Sequence, residues 1–150
     1  MAYFDNAATT FPKPEVVYAF MNDFYRSNGA SAGRGNYGSS LSAGALISET
    51  RHLLQDLLHC PTKQVVFTPT ATIALNIVLQ GLIKTGVKNI YISPFEHNAV
   101  TRTLHEYEKT GQIVVHKLTV SSNMCFDLER IQYQFESIHP DLIVVSHASN

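Results

Sequence analysis

The stretch VVFTPTATIALN, residues 65–76, places a short apolar run directly before an apolar helical pattern. The β-branched and aromatic residues at 65–67 are typical of a buried strand, and the small residues of TPTAT follow at once. A simple turn would more often contain Gly, Asn or Asp. Small residues at the start of a helix leave backbone N–H groups accessible to an anion. We therefore predict a phosphate site at this strand-to-helix connection.

The composition of the 150-residue chain is that of a globular domain of ordinary size, with 45% hydrophobic residues and a net charge of −1. This charge argues against nucleic acid or an anionic membrane as a partner. No apolar run approaches the roughly 18 residues that a membrane-spanning helix needs, and the first ten residues lack the order of a secretory signal. Two cysteines are too few for a disulfide framework, which favours a reducing cytoplasm.

Strand and helix patterns alternate along most of the chain. Two helical segments come first, and four short apolar strands then alternate with three helical segments. The helices are predicted at 14–27, 41–60, 72–83, 97–110 and 127–138, and the strands at 65–68, 89–93, 112–118 and 142–147. Asp127 is the predicted N-cap of the last helix. The order predicts an α/β fold with a mainly parallel sheet and helices on both of its faces.

Polar side chains follow three of the predicted strands. TPTAT ends the first, SPFEHNA the second and SHASN the last. Ligands of parallel sheets bind beyond the carboxyl ends of the strands. The hydroxyl, histidine, glutamate and asparagine side chains of these segments are therefore expected to converge on one edge of the sheet.

Four segments in order resemble the N-terminal half of a cysteine desulfurase: YFDNAATT, FTPTATIALN, EHNAV and VVSHASN. Cysteine desulfurases are pyridoxal-phosphate enzymes of the class V aminotransferase family. The resemblance implies that residues 1–150 contain an N-terminal helical segment and part of the large domain of a fold-type I enzyme. It also implies that the rest of this domain and the C-terminal small domain are absent.

The same resemblance assigns a role to individual residues. Ala71 and Thr72 match the pair whose amides, with the threonine hydroxyl, hold the phosphate of pyridoxal 5′-phosphate. His97 matches the catalytic histidine that stacks on the pyridine ring, and Asn150 matches the asparagine that bonds the ring hydroxyl. Asn6 and Ala7, which complete the set, match a segment on the substrate side.

The sequence departs from the family pattern around this loop. The family usually has a small residue at Pro69, Gly or Asn at Thr70, and often Glu at Ile73. Gly and Asn tolerate a left-handed backbone, whereas β-branched Thr does not. The loop is therefore expected to have a different shape here.

Simpler interpretations of the same residues remain open. Thr72 is also a common type of helix cap, His97 a polar loop residue, and Glu96 a carboxylate that complements a helix dipole. A non-catalytic module that binds a phosphorylated ligand would equally use TPTAT. Selenocysteine lyases and aminotransferases of the same family are further alternatives to a desulfurase.

Several other patterns are predicted to carry no chemistry. His52 and His59 lack the additional ligands of a zinc site. GRGNYG, residues 33–38, matches a dinucleotide motif but follows a helical pattern instead of a strand. Cys60 ends a helix and is expected to be structural. Lys117 follows a histidine, as the cofactor-binding lysine of the family does, but lies in a predicted strand.

The resemblance implies a complete enzyme that removes sulfur from cysteine, leaving alanine and an enzyme persulfide. A homodimer and a sulfur-acceptor protein are implied with it. The cofactor-binding lysine, the cysteine-bearing loop and the small domain are all expected beyond these 150 residues. We therefore expect the chain to be a fragment that is inactive alone.

Overall fold

The centre of the fold is the short strand β1 (Asn89–Ile92), in which Ile90, Tyr91 and Ile92 are all buried. The computed structural model describes residues 2–6 and 9–147. The chain divides into two compact units, Met1–Phe67 and Thr68–Asn150. The first unit is helical, and the second contains the sheet.

The first unit contains α1 (Glu15–Asn28) and α2 (Gly38–Leu57). Both predicted helices are confirmed, although α2 begins three residues earlier than its apolar period suggested. GRGNYG leads directly into α2 and is preceded by α1, so it lacks the strand that a dinucleotide motif requires. Cys60 follows α2 with an exposed side chain, so it adds little to the packing of this unit.

The predicted strand at 65–68 is wrong. These residues form no strand, and Val66 is 76% exposed. Phe67 instead lies beneath the Arg51 guanidinium, whose Cζ is 5.5 Å from the ring centroid. A strand requires a hydrogen-bonded neighbour, and the described residues of the first unit contain no strand that could pair with this segment. Its apolar, β-branched composition therefore does not produce a strand.

The second unit contains the remaining elements, in strict helix–strand alternation. The helices are α3 (Ala71–Lys84), α4 (Asn98–Lys109) and α5 (Leu128–Ser137), and the other strands are β2 (Val114–Lys117) and β3 (Leu142–Val144). The three strands are parallel in the order β2-β1-β3. The predicted α/β class and three of the four predicted strands are confirmed.

Helices cover both faces of this sheet, as predicted. One face buries Ile90 and Ile92 against α3 and α4, through Leu79, Ile83, Val100 and Leu104. On the other face, Tyr91 packs with Ile131 and Phe135 of α5. The Tyr91 hydroxyl donates to the carbonyls of Gln134 and Ile138, which satisfies its polar end inside the core.

Side chains define where several of these elements begin. The carboxylate of Asp127 accepts from the Arg130 amide at 3.1 Å, which confirms the predicted N-cap of α5. Asp141 Oδ2 accepts from the amides of Lys88 and Asn89 at 2.9 and 2.8 Å, and thereby joins the start of β3 to the start of β1. Among the helices of residues 2–6 and 9–147, none is long and apolar enough to cross a membrane.

Candidate functional site

The N-terminus of α3 is organised by Thr70. Its backbone is extended, with φ −148° and ψ 156°, and its hydroxyl oxygen accepts from the Ile73 amide at 3.2 Å. Thr70 is therefore the N-cap, and the alternative that Thr72 caps this helix is wrong. The extended backbone also shows how a β-branched residue fits where the family usually has Gly or Asn, because no left-handed conformation is needed.

The first two amides of α3 remain available to a ligand. Neither Ala71 nor Thr72 donates its backbone N–H to any acceptor in the described part of the chain. The Thr72 hydroxyl also has no partner among those residues, and the side chain is exposed. Two open amides and one hydroxyl at a helix N-terminus are the donors that a phosphate group accepts.

A cavity of about 390 Å³ lies beside these donors, between α3 and α4. Its lining contains Thr72 and Asn76 from α3, and His97, Asn98, Ala99, Arg102, Thr103 and Glu106 from the segment around α4. The Thr103 hydroxyl donates to Asn76 Oδ1 at 2.8 Å, which joins the two helices within the cavity wall. The structure thus brings Thr72 and His97, two of the predicted site residues, to one cavity.

His97 is the N-cap of α4. Its Nδ1 accepts from the Ala99 amide at 3.0 Å. Because an amide can only donate, Nδ1 is unprotonated in this arrangement and the neutral ring carries its proton on Nε2. The side chain is exposed, so the bond to Ala99 orients a ring that remains accessible.

Three other predicted site residues remain, namely Asn6, Ala7 and Asn150. Asn6 belongs to the first unit, where its side chain accepts from the Phe11 amide and donates to the Tyr3 carbonyl. Ala7 and Asn150 lie outside the described residues. Lys117 is the last residue of β2, as predicted, and lines a different cavity with His105 and Glu108.

Two further features of this region were not predicted from the sequence. Thr70 is the true cap, and Glu96 makes hydrogen bonds to both Ser93 and Ser146. The threonines of TPTAT cannot be told apart by composition, and the Glu96–Ser146 contact joins residues fifty positions apart. No group of His, Cys, Asp and Glu side chains in the described ranges could hold a metal ion.

Comparisons with known proteins agree with this architecture. The family model described as Aminotransferase class-V matches residues 2–150. The chain belongs to the class V aminotransferase family. Cysteine desulfurase IscS of Shewanella denitrificans is 31% identical over 157 residues, which cover 99% of this chain and 37% of the relative. A Plasmodium berghei protein named as a candidate cysteine desulfurase, PbSufS, is 36% identical over 102 residues, covering 65% of this chain and 19% of that protein.

A solved structure shows the same fold. The apo cysteine desulfurase of Thermococcus onnurineus matches with a TM-score of 0.87 at 25% identity, covering 99% of this chain and 37% of that one. The chain therefore spans less than two fifths of the length of these relatives. The predicted membership of the class V aminotransferase family and the predicted fold are confirmed.

Class V aminotransferases use pyridoxal phosphate, and the residues described here fit this group. Its phosphate requires several convergent donors, which the open amides of Ala71 and Thr72 and the Thr72 hydroxyl supply. Its aromatic ring requires a flat apolar or aromatic partner, and the accessible His97 ring lines the same cavity.

Proposed function

We propose that residues 1–150 form the N-terminal part of a pyridoxal-phosphate-dependent cysteine desulfurase. The observation that carries this proposal is the convergence of Thr72 and His97 on one cavity, beside a helix N-terminus with open amides. The desulfurase relatives support the choice of cysteine as the substrate. In this proposal the remaining length of the complete enzyme supplies the cofactor-binding lysine and the nucleophilic cysteine.

The phosphate would be held by α3. Ala71 and Thr72 would donate their amides, Thr72 would add its hydroxyl, and the positive end of the helix dipole would favour the anion. Thr70 prepares this arrangement, because its hydroxyl binds the Ile73 amide and holds the first turn in place.

His97 would cover one face of the cofactor ring. When bound, pyridoxal phosphate supplies an electron sink for the substrate carbanion. His97 restricts the access of water to one side of that ring and holds its own proton on Nε2, because Nδ1 is bonded to the Ala99 amide. In the proposed enzyme, the proton on this atom would be the one available for transfer to the substrate.

The remaining assignments follow from the resemblance to the family. Asn150 would bond the ring hydroxyl, and Asn6 and Ala7 would line the substrate side. The complete enzyme would act as a homodimer in the cytoplasm and pass the sulfur from its persulfide to an acceptor protein. In this reaction cysteine would be converted to alanine, and the alanine would be released. The 150-residue chain alone would not complete this reaction, since the residues assigned to covalent chemistry lie beyond it.

Reconstitution of the complete enzyme tests the proposal. With pyridoxal phosphate added, we expect a yellow protein that releases alanine and reducible sulfur from cysteine. Yellow protein without sulfur release would point to another reaction of the class V family. A colourless protein that still binds inorganic phosphate would show a non-catalytic phosphate-binding module and overturn the proposal.

A further inference from the structure

One carboxylate joins the loop after β1 to the segment after β3. Glu96 Oε1 accepts from the Ser93 hydroxyl at 2.5 Å and from the Ser146 amide at 2.6 Å. Its Oε2 accepts from the Ser146 hydroxyl at 2.8 Å. Because β1 and β3 are adjacent parallel strands, these bonds bridge two neighbouring strand ends.

The partners of this carboxylate are themselves held in place. Ser93 is 1% exposed, its amide donates to the Val144 carbonyl at 3.1 Å, and its hydroxyl oxygen accepts from the Phe95 amide at 3.3 Å. The Ser93 hydroxyl hydrogen is therefore directed to Glu96. Hydrogen bonds to an ionised carboxylate are roughly twice as strong as neutral ones, so Glu96 fixes the spacing of the two segments.

A dipole effect alone does not describe this geometry. A glutamate just before a helix often serves only to offset the positive end of the dipole. Here both carboxylate oxygens are occupied by donors from Ser93 and Ser146, and neither accepts from an amide of α4. The interaction is directed across the sheet edge instead of along the helix.

The two joined segments are the ones that carry the proposed ring contacts. His97 follows Glu96 directly, and Asn150 comes four residues after Ser146. We propose that Glu96 is a positioning residue that holds the start of the segment after β3, at Ser146, in a fixed place relative to the His97 segment, which carries a proposed contact with the cofactor. This inference rests on the proposed function, and it assigns to Glu96 a role distinct from any direct contact with the cofactor.

Hydrogen exchange tests the positioning without any cofactor. In the complete enzyme without added cofactor, Glu96→Ala is expected to accelerate exchange of the Ser146 amide about tenfold, as for a lost hydrogen bond to a charged group. The Leu118 amide, which donates to the Ile92 carbonyl at 2.9 Å, reports on general loosening of the sheet and should change little. Glu96→Gln should restore protection, because its amide oxygen still accepts from Ser146. Glu129→Gln, on the exposed first turn of α5, is the matched control.

Cofactor binding tests the functional part in the complete enzyme. Glu96→Ala should weaken the affinity for pyridoxal phosphate about tenfold and shift the absorption maximum of the bound cofactor, with Glu96→Gln restoring both. Unchanged affinity and spectrum in Glu96→Ala would overturn the inference while the proposed function stands. If the unaltered enzyme binds no cofactor, the proposed function fails. In that case the exchange rate of the Ser146 amide alone decides whether Glu96 positions this segment. An unchanged rate in Glu96→Ala would overturn the positioning role as well.

Discussion

Thr70 and Ile73 are joined by the hydrogen bond that begins α3, with the Ile73 amide donating to the Thr70 hydroxyl oxygen at 3.2 Å. This bond satisfies the third amide of the helix and leaves those of Ala71 and Thr72 open. Thr70 therefore caps the helix, whereas the proposed phosphate contact belongs to Thr72, two residues further along the chain. Substitutions at the two positions should therefore have separable effects.

Removing the Thr70 hydroxyl should reduce stability. We expect Thr70→Ala to lower the free energy of unfolding of the 150-residue chain by about 1 kcal/mol, the usual effect of losing an N-cap. Thr70→Ser keeps the hydroxyl and should stay near the unaltered value. Urea unfolding followed by circular dichroism measures the difference. Equal stability of both variants would contradict the capping role.

Removing the Thr72 hydroxyl should instead affect the cofactor. In the complete enzyme, Thr72→Val should weaken pyridoxal phosphate binding by about 1–3 kcal/mol, as for a hydrogen bond to a charged group. Stability should change little, because the hydroxyl has no partner in the described ranges. Thr72→Ser is the matched control, and fluorescence titration gives the affinity. Unchanged affinity in Thr72→Val would remove this hydroxyl from the phosphate site.

Two substitutions at His97 separate its capping of α4 from its proposed contact with the cofactor ring. His97→Ala removes both the acceptor for the Ala99 amide and the aromatic ring, and the lost cap should lower the free energy of unfolding by about 1 kcal/mol. His97→Asn keeps a side-chain acceptor for the Ala99 amide and should preserve stability. Both variants should bind the cofactor more weakly, by about 0.5–1.5 kcal/mol for a lost ring contact. A titration in which His97→Asn binds the cofactor normally would show that the ring is not required.

The pH dependence of stability should contain a contribution from Asp141. Hydrogen bonds from the Asn89 and Lys88 amides lower the pKa of this carboxyl below its ordinary value of 3.8. The contribution is therefore fully present above about pH 3.8 and is lost as the pH falls through the lower pKa of the folded state. Asp141→Asn should flatten the loss of stability in that acidic range. Urea unfolding at a series of pH values measures this, and an unaltered acidic loss of stability in Asp141→Asn would contradict the contribution.

The helices and three of the strands could be predicted because each gives a distinct apolar period, as in the continuous run around Ile90 and the four-residue spacing of α1. The absence of a strand at 65–68 could not be predicted. An apolar run shows that its side chains favour a strand, but not whether a neighbouring strand is present to pair with it. Pairing is a property of the whole sheet. The hydrogen bond between Glu96 and Ser146 could not be predicted for the same reason. The two residues are distant in sequence, and they lie close together because β1 and β3 pair as adjacent strands.

The candidate site was predictable in part, because small residues at the start of a helical pattern indicate open amides, even though no strand precedes them. The N-cap of α3 could not be predicted, because it depends on which of the threonines of TPTAT has an extended backbone. His97 was expected as a ring contact, but its bond to the Ala99 amide depends on a rotamer that the sequence does not determine.

Lys117 provides the last test, because it is the one residue whose sequence context imitates the covalent lysine of the family. It ends β2, pairs in register with Ile92, and lines a cavity with His105 and Glu108, whereas Thr72 and His97 line another. We expect no stoichiometric attachment of pyridoxal phosphate to this lysine in the 150-residue chain, and no release of sulfur from cysteine. Incubation with the cofactor, borohydride reduction and peptide mass spectrometry measure the labelling, with Lys117→Arg as the control for background modification. Specific, complete labelling at Lys117 would show that these residues hold the cofactor covalently by themselves, and the proposal that the covalent lysine lies beyond them would be wrong.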